Sequence, residues 1–265
     1  MRAALLLLAG LVGCTSAPTS PEPTPPTDET APPAADPVEP PVVSAQPPPV
    51  AEAEPEPEEP NPVAVRINAK YEASDDARGW EKRFERQGRE VHDRREDVLK
   101  ALKISAGDSV ADVGVGSGLY TLSLAKAVGP KGKVFGVDVQ DYFLEHVEAK
   151  AKKAGHDNIT FVKAAQRSSN LDPGSLDLIF ICDVFHHVEY PRTYLASLYA
   201  ALEPGGRMAV IDYIAEEGES PKWVLEHVRA TPAEFRAEFE AAGFVFEEAP
   251  TVLTSNFFHI YRKPE

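Results

Sequence analysis

Between residues 108 and 212, short apolar runs alternate with longer segments in which apolar and charged positions recur at helical spacing. The apolar runs predict five strands, at residues 109–113, 133–139, 159–163, 176–182 and 208–212. Helices are predicted at residues 79–102, 119–128, 142–154 and 191–202. Because alternating strands and helices are typical of a parallel sheet with helical crossovers, the pattern predicts an α/β fold with a doubly wound sheet.

The C-terminal segment carries a different pattern. Thr231 and Glu234 have the spacing of a capping box, with Pro232 at the first helical position, and predict a helix over residues 231–242. Two apolar runs, at residues 244–248 and 257–262, then predict two strands. The loop between them is too short for a parallel crossover, so the sheet is expected to end in an antiparallel pair.

The start of the chain, residues 1–14, resembles an export signal. Arg2 precedes an apolar stretch that is too short to span a bilayer, which needs about 20 residues. The run Leu-Val-Gly-Cys that ends at Cys14 resembles the lipobox of bacterial lipoproteins, in which the cysteine is lipidated. An ordinary cysteine in an unstructured start is the alternative. The interpretation predicts an anchor in a membrane of the bacterial cell envelope, with the outer membrane slightly preferred.

Residues 15–62 form a proline-rich, acidic segment. They hold 17 of the 25 prolines and ten acidic residues, without Lys, Arg or aromatic residues. Such a segment cannot bury enough apolar surface to offset its ordering entropy, so a disordered tether is predicted. The chain is therefore divided into a signal (1–14), a tether (15–62) and one folded domain (63–265).

Charge and cysteine content narrow the function of that domain. Of the net charge of −15, ten negative charges lie in the tether and Arg2 adds one positive charge, so residues 63–265 carry −6. An acidic domain without a basic run is a poor candidate for nucleic-acid binding. Cys182 is the only cysteine besides Cys14, which excludes a disulfide framework and a zinc–cysteine cluster. No metal site is predicted from the sequence.

A glycine-rich loop follows the first predicted strand. Gly114, Gly116 and Gly118 allow a tight turn and close approach of a ligand to the backbone. Asp138, at the end of the second strand, has the position of an acid that binds a ribose diol. A dinucleotide site and an S-adenosylmethionine (SAM) site share these features. The spacing Gly-x-Gly-x-Gly departs from the dinucleotide fingerprint, and Asp112 would repel a pyrophosphate but attract the cationic end of SAM.

Residues 108–212 resemble class I SAM-dependent methyltransferases that act on small molecules. The resemblance rests on VADVGVGSG, GVDV, LDLIFICDVFHHV and LEPGGRMAVIDY. It implies a seven-stranded sheet whose last strand is antiparallel, in agreement with the pattern at the C-terminus. It also implies that the three glycines line the methionine part of SAM and that Asp112 lies near its amino group.

Further roles follow from the same resemblance. Asp138 would hold the ribose hydroxyls, and Val139 would pack on the adenine. The family often has an acid after the third strand, where this chain has Ala165; the carbonyl oxygen of Gln166 would replace that contact. Asp183 occupies a position where the family often has a polar residue that faces the cofactor or substrate.

Candidate catalytic residues lie in FHHVEY, just after the fourth strand. Histidine is the usual general base of enzymes, so His186 and His187 are candidates for that role, and Tyr190 is a candidate for orienting the substrate. The alternative is a structural histidine pair, with one ring in the core. On the family pattern, His187 is the better candidate to face the site.

Two further regions leave alternatives open. The long connection after the fifth strand contains His227 and Arg229, which either bind the substrate, with Arg229 on a carboxylate or phosphate, or pair with neighbouring groups. The charged run ERQGREVHDRRED is interpreted as a solvated helix face, with a lid over the cofactor as the alternative.

The sequence therefore predicts a lipid-anchored methyltransferase that uses SAM and acts on a small molecule. The alternative is a noncatalytic lipoprotein with the same fold that serves as a scaffold or ligand-binding module. A nicotinamide-dependent oxidoreductase is the third hypothesis, which the glycine spacing disfavours. An export signal and a cytosolic cofactor are in tension, and the sequence shows no route of SAM supply.

Overall fold

The computed structural model describes residues 57–265. The predicted signal, the lipobox with Cys14 and tether residues 15–56 lie outside the described residues. Within residues 57–265, no helix is both long and apolar enough to cross a membrane.

One seven-stranded sheet organises the domain, in the order β3-β2-β1-β4-β5-β7-β6. Its strands are β1 (Ser109–Val113), β2 (Lys133–Asp138), β3 (Ile159–Lys163), β4 (Leu176–Cys182), β5 (Leu202–Tyr213), β6 (Val245–Glu248) and β7 (Asn256–Arg262). Strands β1 to β5 are parallel, whereas β7 lies antiparallel between β5 and β6. The predicted doubly wound α/β sheet with an antiparallel last strand is confirmed.

Helices cover the sheet and surround its carboxyl edge. They are α1 (Pro62–Glu72), α2 (Ala77–Phe84), α3 (Glu90–Asp93), α4 (Arg95–Ala101), α5 (Thr121–Val128), α6 (Asp141–Ala154), α7 (Pro191–Ala201), α8 (Lys222–His227) and α9 (Pro232–Ala241). The capping box at α9 is formed: the Thr231 hydroxyl accepts from the Glu234 backbone, and the Glu234 carboxylate accepts from the Thr231 backbone.

The core lies on both faces of the sheet. Successive residues of β4 alternate between two apolar clusters, with Ile179 and Ile181 in one and Leu178 and Phe180 in the other. A strand covered by helices on both faces reads as a continuous apolar run, which explains the sequence LDLIFIC.

The predicted helix over residues 79–102 is instead three short helices. Helix α2 ends at Phe84, and α3 begins at Glu90. Gly88 lies between them with φ of +87°, a left-handed conformation that interrupts a helix. The chain therefore turns at residues 85–89, and the charged run that reads as one solvated face is divided among segments with different surroundings.

The folded contacts begin before residue 63. The Glu58 carboxylate accepts hydrogen bonds from the backbone of Arg192 and Thr193 at the start of α7, at 2.7 and 2.8 Å. Asn61 caps α1 by accepting from Val63 and Ala64. The last residues assigned to the tether, from Glu58 onward, thus pack on the domain.

Candidate functional site

A cavity of about 500 Å³ lies at the carboxyl edge of the sheet, within the range of small-molecule sites. It opens where the chain order reverses, since β1 pairs with β2 on one side and with β4 on the other. Among the predicted site residues, those that line it are Asp112, Gly114, Gly116, Asp138, Val139, Gln166, Asp183, His186, His187 and His227.

Backbone hydrogen bonds join the glycine loop to the end of β2. The N–H groups of Gly114 and Val115 donate to the carbonyl of Val137, which ties the loop to the end of β2. Gly116 has φ of +49°, and its N–H donates to Asp138 Oδ2 at 3.2 Å. The loop and the acid of β2 therefore form one hydrogen-bonded unit.

The position of Gly118 does not support the prediction that this glycine lines the cofactor site. It does not line the cavity, and a Cβ built on it would lie 2.7 Å from a Val147 methyl of α6. Its φ of +79° also disfavours a side chain. The third glycine is required for close packing of the loop on α6.

Two buried carboxylates face the cavity. Asp112 accepts from the Thr121 hydroxyl at 2.5 Å, and burial, with a contribution from Asp138, raises its pKa to about 7. Burial also raises the pKa of Asp138 to about 6, although the N–H groups of Gln140 and Gly116 stabilise its charge. Burial raises both pKa values because it removes water that would stabilise the charged carboxylates. A ligand that brings positive charge and hydrogen-bond donors would replace that stabilisation.

Arg89 is a site residue that the sequence interpretation missed. Its Nη2 lies 2.6 Å from Asp183 Oδ2, its Nη1 donates to the Phe84 carbonyl, and its side chain lines the cavity. Asn256 Nδ2 donates to the other oxygen of Asp183 at 2.6 Å. Part of the run assigned to a solvated face therefore lies against the cavity. No local signal distinguishes this arginine from its neighbours in ERQGREVHDRRED.

Two predicted substrate residues lie elsewhere. Tyr190 does not line the cavity; the Arg167 guanidinium lies 3.6 Å from its ring centroid. Arg229 is buried and forms a bidentate pair with Glu238 at 2.6 and 2.7 Å. Neither position supports the predicted contact with substrate, and the alternative of a pair with a neighbouring Glu describes Arg229.

Aromatic rings form one side of the cavity. Tyr71 packs on Trp80, with ring centroids 4.5 Å apart, and on Phe84 and Phe143 at 6.5 and 6.4 Å. The Phe84 ring lies 3.3 Å from where a Cβ on Gly116 would be, so this aromatic cluster borders the glycine loop. The cluster comes from α1, α2 and α6, and supplies an apolar surface beside the polar loop.

Three imidazole rings line the cavity next to this cluster, since the ring centroids of Tyr71 and His187 lie 5.2 Å apart. His186 and His187, in the 3₁₀ turn after β4, have ring centroids 4.2 Å apart, and the His227 ring at the end of α8 lies 5.0 and 5.4 Å from them. Asp212 accepts from Nδ1 of His186 at 2.7 Å, and Asn68 from Nδ1 of His187 at 2.8 Å. Burial lowers the pKa of His187 well below its usual value and that of His227 to about 4. His187 and His227 are therefore neutral at pH 7.

Known proteins share this fold and sequence pattern. Residues 110–206 match the model of the methyltransferase domain family. A demethylmenaquinone methyltransferase of Anoxybacillus flavithermus is 26% identical over 200 residues, which make up 64% of this chain and 84% of that protein. The crystal structure of a SAM-dependent methyltransferase from Aquifex aeolicus matches with a TM-score of 0.62 and 29% identity, over 69% of this chain and 96% of that one.

The chain is a class I SAM-dependent methyltransferase. The fold extends to more distant proteins. Phospholethanolamine N-methyltransferase 2 of Haemonchus contortus, solved with S-adenosylhomocysteine, has a TM-score of 0.57 and 16% identity, over 75% of this chain and 59% of that one. At that identity the likeness concerns the fold.

The cavity of the methyltransferase fits SAM. When bound, SAM supplies a methyl group on a sulfonium, which a nucleophile displaces in line. The residues of the chain provide charge and alignment: Asp112 and Asp138 favour a cationic ligand, and Gly116 and Phe84 line the cavity beside them. The particular contacts to amino group, ribose and adenine remain predictions from the family resemblance.

Proposed function

We propose that the methyltransferase transfers a methyl group to a small, ring-containing, largely apolar acceptor, and that it does so as a lipid-anchored protein of the bacterial envelope. The observation that carries the acceptor class is the form of the cavity. One region has the buried carboxylates Asp112 and Asp138, and the adjoining region around the histidines is bordered by the rings of Tyr71, Tyr213 and Trp223. A planar apolar acceptor matches the second region, because aromatic side chains favour stacked and edge-to-face contacts with rings.

Helix α8 adds an apolar edge to the cavity. Trp223 lines the cavity and is 52% exposed, and Leu225 on the same helix is also exposed. The Arg66 guanidinium donates to the Glu226 carbonyl, which ties α8 to α1. An exposed tryptophan at the mouth of a cavity is suited to admit an apolar molecule.

The relatives suggest which acceptor to test first. The named relatives from Anoxybacillus flavithermus and Lactococcus lactis are demethylmenaquinone methyltransferases. The second is 31% identical over 118 residues and shares only 47% of its own length with this chain. A demethylmenaquinol is therefore the first compound to supply, and a hydrophilic amine acceptor is the contrasting one.

The test is transfer of a labelled methyl group from SAM to each acceptor by the full-length chain. The proposal predicts label in the quinol and none in the hydrophilic amine. Label in the amine alone would contradict the acceptor class. Tight SAM binding without transfer to any member of a panel of ring-containing acceptors would favour the noncatalytic scaffold.

The proposed anchor is a lipid on Cys14. We expect Cys14→Ser to abolish lipidation and signal cleavage, because the thiol is the group that accepts the lipid. Labelled fatty acid that still attaches to the variant, measured after expression in a bacterium, would show that the anchor lies elsewhere. Cys182 is the matched control: it is the only other cysteine, it lies inside β4, and Cys182→Ser should leave lipidation unchanged.

A further inference from the structure

We propose that His186, His187 and His227 form a binding site for one divalent transition-metal ion, for which Zn²⁺ is the best fit, with an open coordination position toward the acceptor half of the cavity. The sequence predicts no such site, because His227 lies far along the chain from the other two. The fold brings one ring nitrogen from each of the three to within 4.8 Å of the others. All three side chains line the cavity.

The protonation of His187 follows from its partner. Asn68 Nδ2 donates to the Glu189 carboxylate at 2.9 Å and to the His187 carbonyl at 3.0 Å, so its Oδ1 is the acceptor. That oxygen lies 2.8 Å from Nδ1 of His187, which therefore carries the proton. In a neutral imidazole the other nitrogen, Nε2, then has a free lone pair, as a metal ligand requires.

His186 is held in the same way by a carboxylate. Asp212, which is fully buried, accepts from Nδ1 of His186 at 2.7 Å and from the backbone N–H groups of His186 and Tyr213. Nε2 of His186 is buried and has no hydrogen-bond partner among the described residues. A buried nitrogen without a partner is costly, and an ion would supply that partner.

These partners are those of metal-binding histidines in general. A ligating His usually donates its second ring N–H to a carboxylate or another oxygen, which fixes the ring and makes the ligand more basic. Asp212 does this for His186, and Asn68, itself fixed by Glu189, does it for His187. A general base would need one such histidine, whereas three ring nitrogens within 4.8 Å of one another correspond to a ligand set.

Zn²⁺ is favoured by the type and number of ligands. Three imidazoles with an open fourth position are a known catalytic zinc arrangement, with Zn–N distances of about 2.0–2.1 Å. Tetrahedral geometry at that distance separates the nitrogens by about 3.4 Å, so binding would draw together rings whose nitrogens lie up to 4.8 Å apart. His227 can supply this movement, because it ends the short helix α8 and is only partly buried.

The ion would also suit the proposed acceptor. Its fourth position would take an oxygen of the substrate, such as a ring hydroxyl, and hold it in the cavity. This role rests on the proposed function, whereas the metal site itself does not.

The test is metal binding by the untagged full-length chain. After treatment with a chelator, the protein is titrated with Zn²⁺ by calorimetry, and with Co²⁺ to record the visible absorption of the loaded site. One Zn²⁺ per chain and the intense absorption of four-coordinate Co²⁺ are expected. We expect His227→Ala, and Asn68→Ala as a positioning variant, to lower Zn²⁺ affinity by at least about tenfold.

His156→Ala is the matched control, since His156 lies before β3, at the opposite edge of the sheet from the cavity. It should bind Zn²⁺ like the parent. Circular dichroism and thermal melting check that each variant is folded; His227→Gln replaces His227→Ala if the latter is not. Absence of Zn²⁺ binding by the parent, or equal affinity in the parent, His227→Ala and Asn68→Ala, would overturn the proposal.

A methyl-transfer assay on the same samples separates this inference from the proposed function. Zn²⁺ binding without methyl transfer to any acceptor would support the metal site and contradict the proposed function. Methyl transfer by a chain that binds no Zn²⁺ would support the proposed function and overturn the metal site.

Discussion

The two halves of the cavity are built in different ways. The cofactor half takes its main groups from β1, from the glycine loop that joins β1 to α5, and from the end of β2, so that Asp112, Gly116 and Asp138 lie within one β–α–β segment. The acceptor half takes Asn68 from α1, His186 and His187 from the turn after β4, and His227 from α8. A local motif fixes the first half, whereas the second exists only once distant segments have packed together. We therefore expect the first half to report on SAM and the second on acceptor and metal.

The largest effect is expected from breaking the buried ion pair between Arg89 and Asp183, which both line the cavity outside the glycine-loop motif. We expect Arg89→Ala to lower the free energy of unfolding by about 3–5 kcal/mol, because it leaves the Asp183 carboxylate buried without its cationic partner. Urea unfolding measures the loss. Arg94→Ala is the control: its pair with Asp97 is about half exposed and should contribute less than about 1 kcal/mol. Equal stability of the two variants would contradict the structural role of Arg89.

A second variant acts in the cofactor half alone. We expect Asp138→Ala to weaken SAM binding by about 1–3 kcal/mol, roughly 5- to 150-fold in Kd, because donors of the ligand lose their buried acceptor. Calorimetric titration measures the change. Asp141→Ala is the control, since Asp141 begins α6 nearby with a largely exposed carboxylate. Unchanged affinity in Asp138→Ala would refute the ribose assignment.

The smallest effect expected is a pH dependence of SAM affinity. Burial raises the pKa of Asp112 to about 7 and that of Asp138 to about 6, so protonation below neutral pH removes the charge that favours a cationic ligand. SAM affinity should fall as the pH is lowered through this range, and Asp112→Asn should flatten the upper part of the profile. A parent profile without this fall would contradict the charge argument.

The same carboxyl groups affect stability with the opposite sign. Between their usual pKa of 3.8 and the raised values, the folded state binds more protons than the unfolded state, so their contribution to stability grows as the pH falls. Buried histidines of lowered pKa, such as His187 and His227, act in the other direction. The difference in unfolding free energy between the parent and Asp112→Asn isolates the contribution of Asp112.

The sequence pattern predicts the sheet correctly because the apolar runs and capping residues that define its strands and helices are local in the sequence. LDLIFIC is apolar on both faces since helices cover both faces of β4, and the capping box marks the start of α9. The prediction of a single helix over residues 79–102 is wrong because the apolar spacing continues past Gly88, where the chain turns. Patterns of spacing carry no information about which of several arginines turns inward, so the pattern alone places Arg89 with its solvated neighbours.

The residues of the site were predictable where they belong to a local motif, and not where distant segments bring them together. Asp112, Gly116 and Asp138 belong to a local motif and do line the cavity, whereas Gly118 serves packing. Tyr190 and Arg229 lie close in sequence to cavity residues, but their side chains pair with Arg167 and Glu238. The histidine cluster needed the fold, because only the packing of α1 and α8 on the turn after β4 brings Asn68 and His227 to His187.

The most direct test of the account is a calorimetric titration of the full-length chain with SAM, S-adenosylhomocysteine and NAD. The account predicts binding of SAM and S-adenosylhomocysteine, with SAM affinity reduced in Asp138→Ala, and no binding of NAD. Binding of NAD in preference to SAM, or of none of the three, would contradict the assignment of the cavity to SAM.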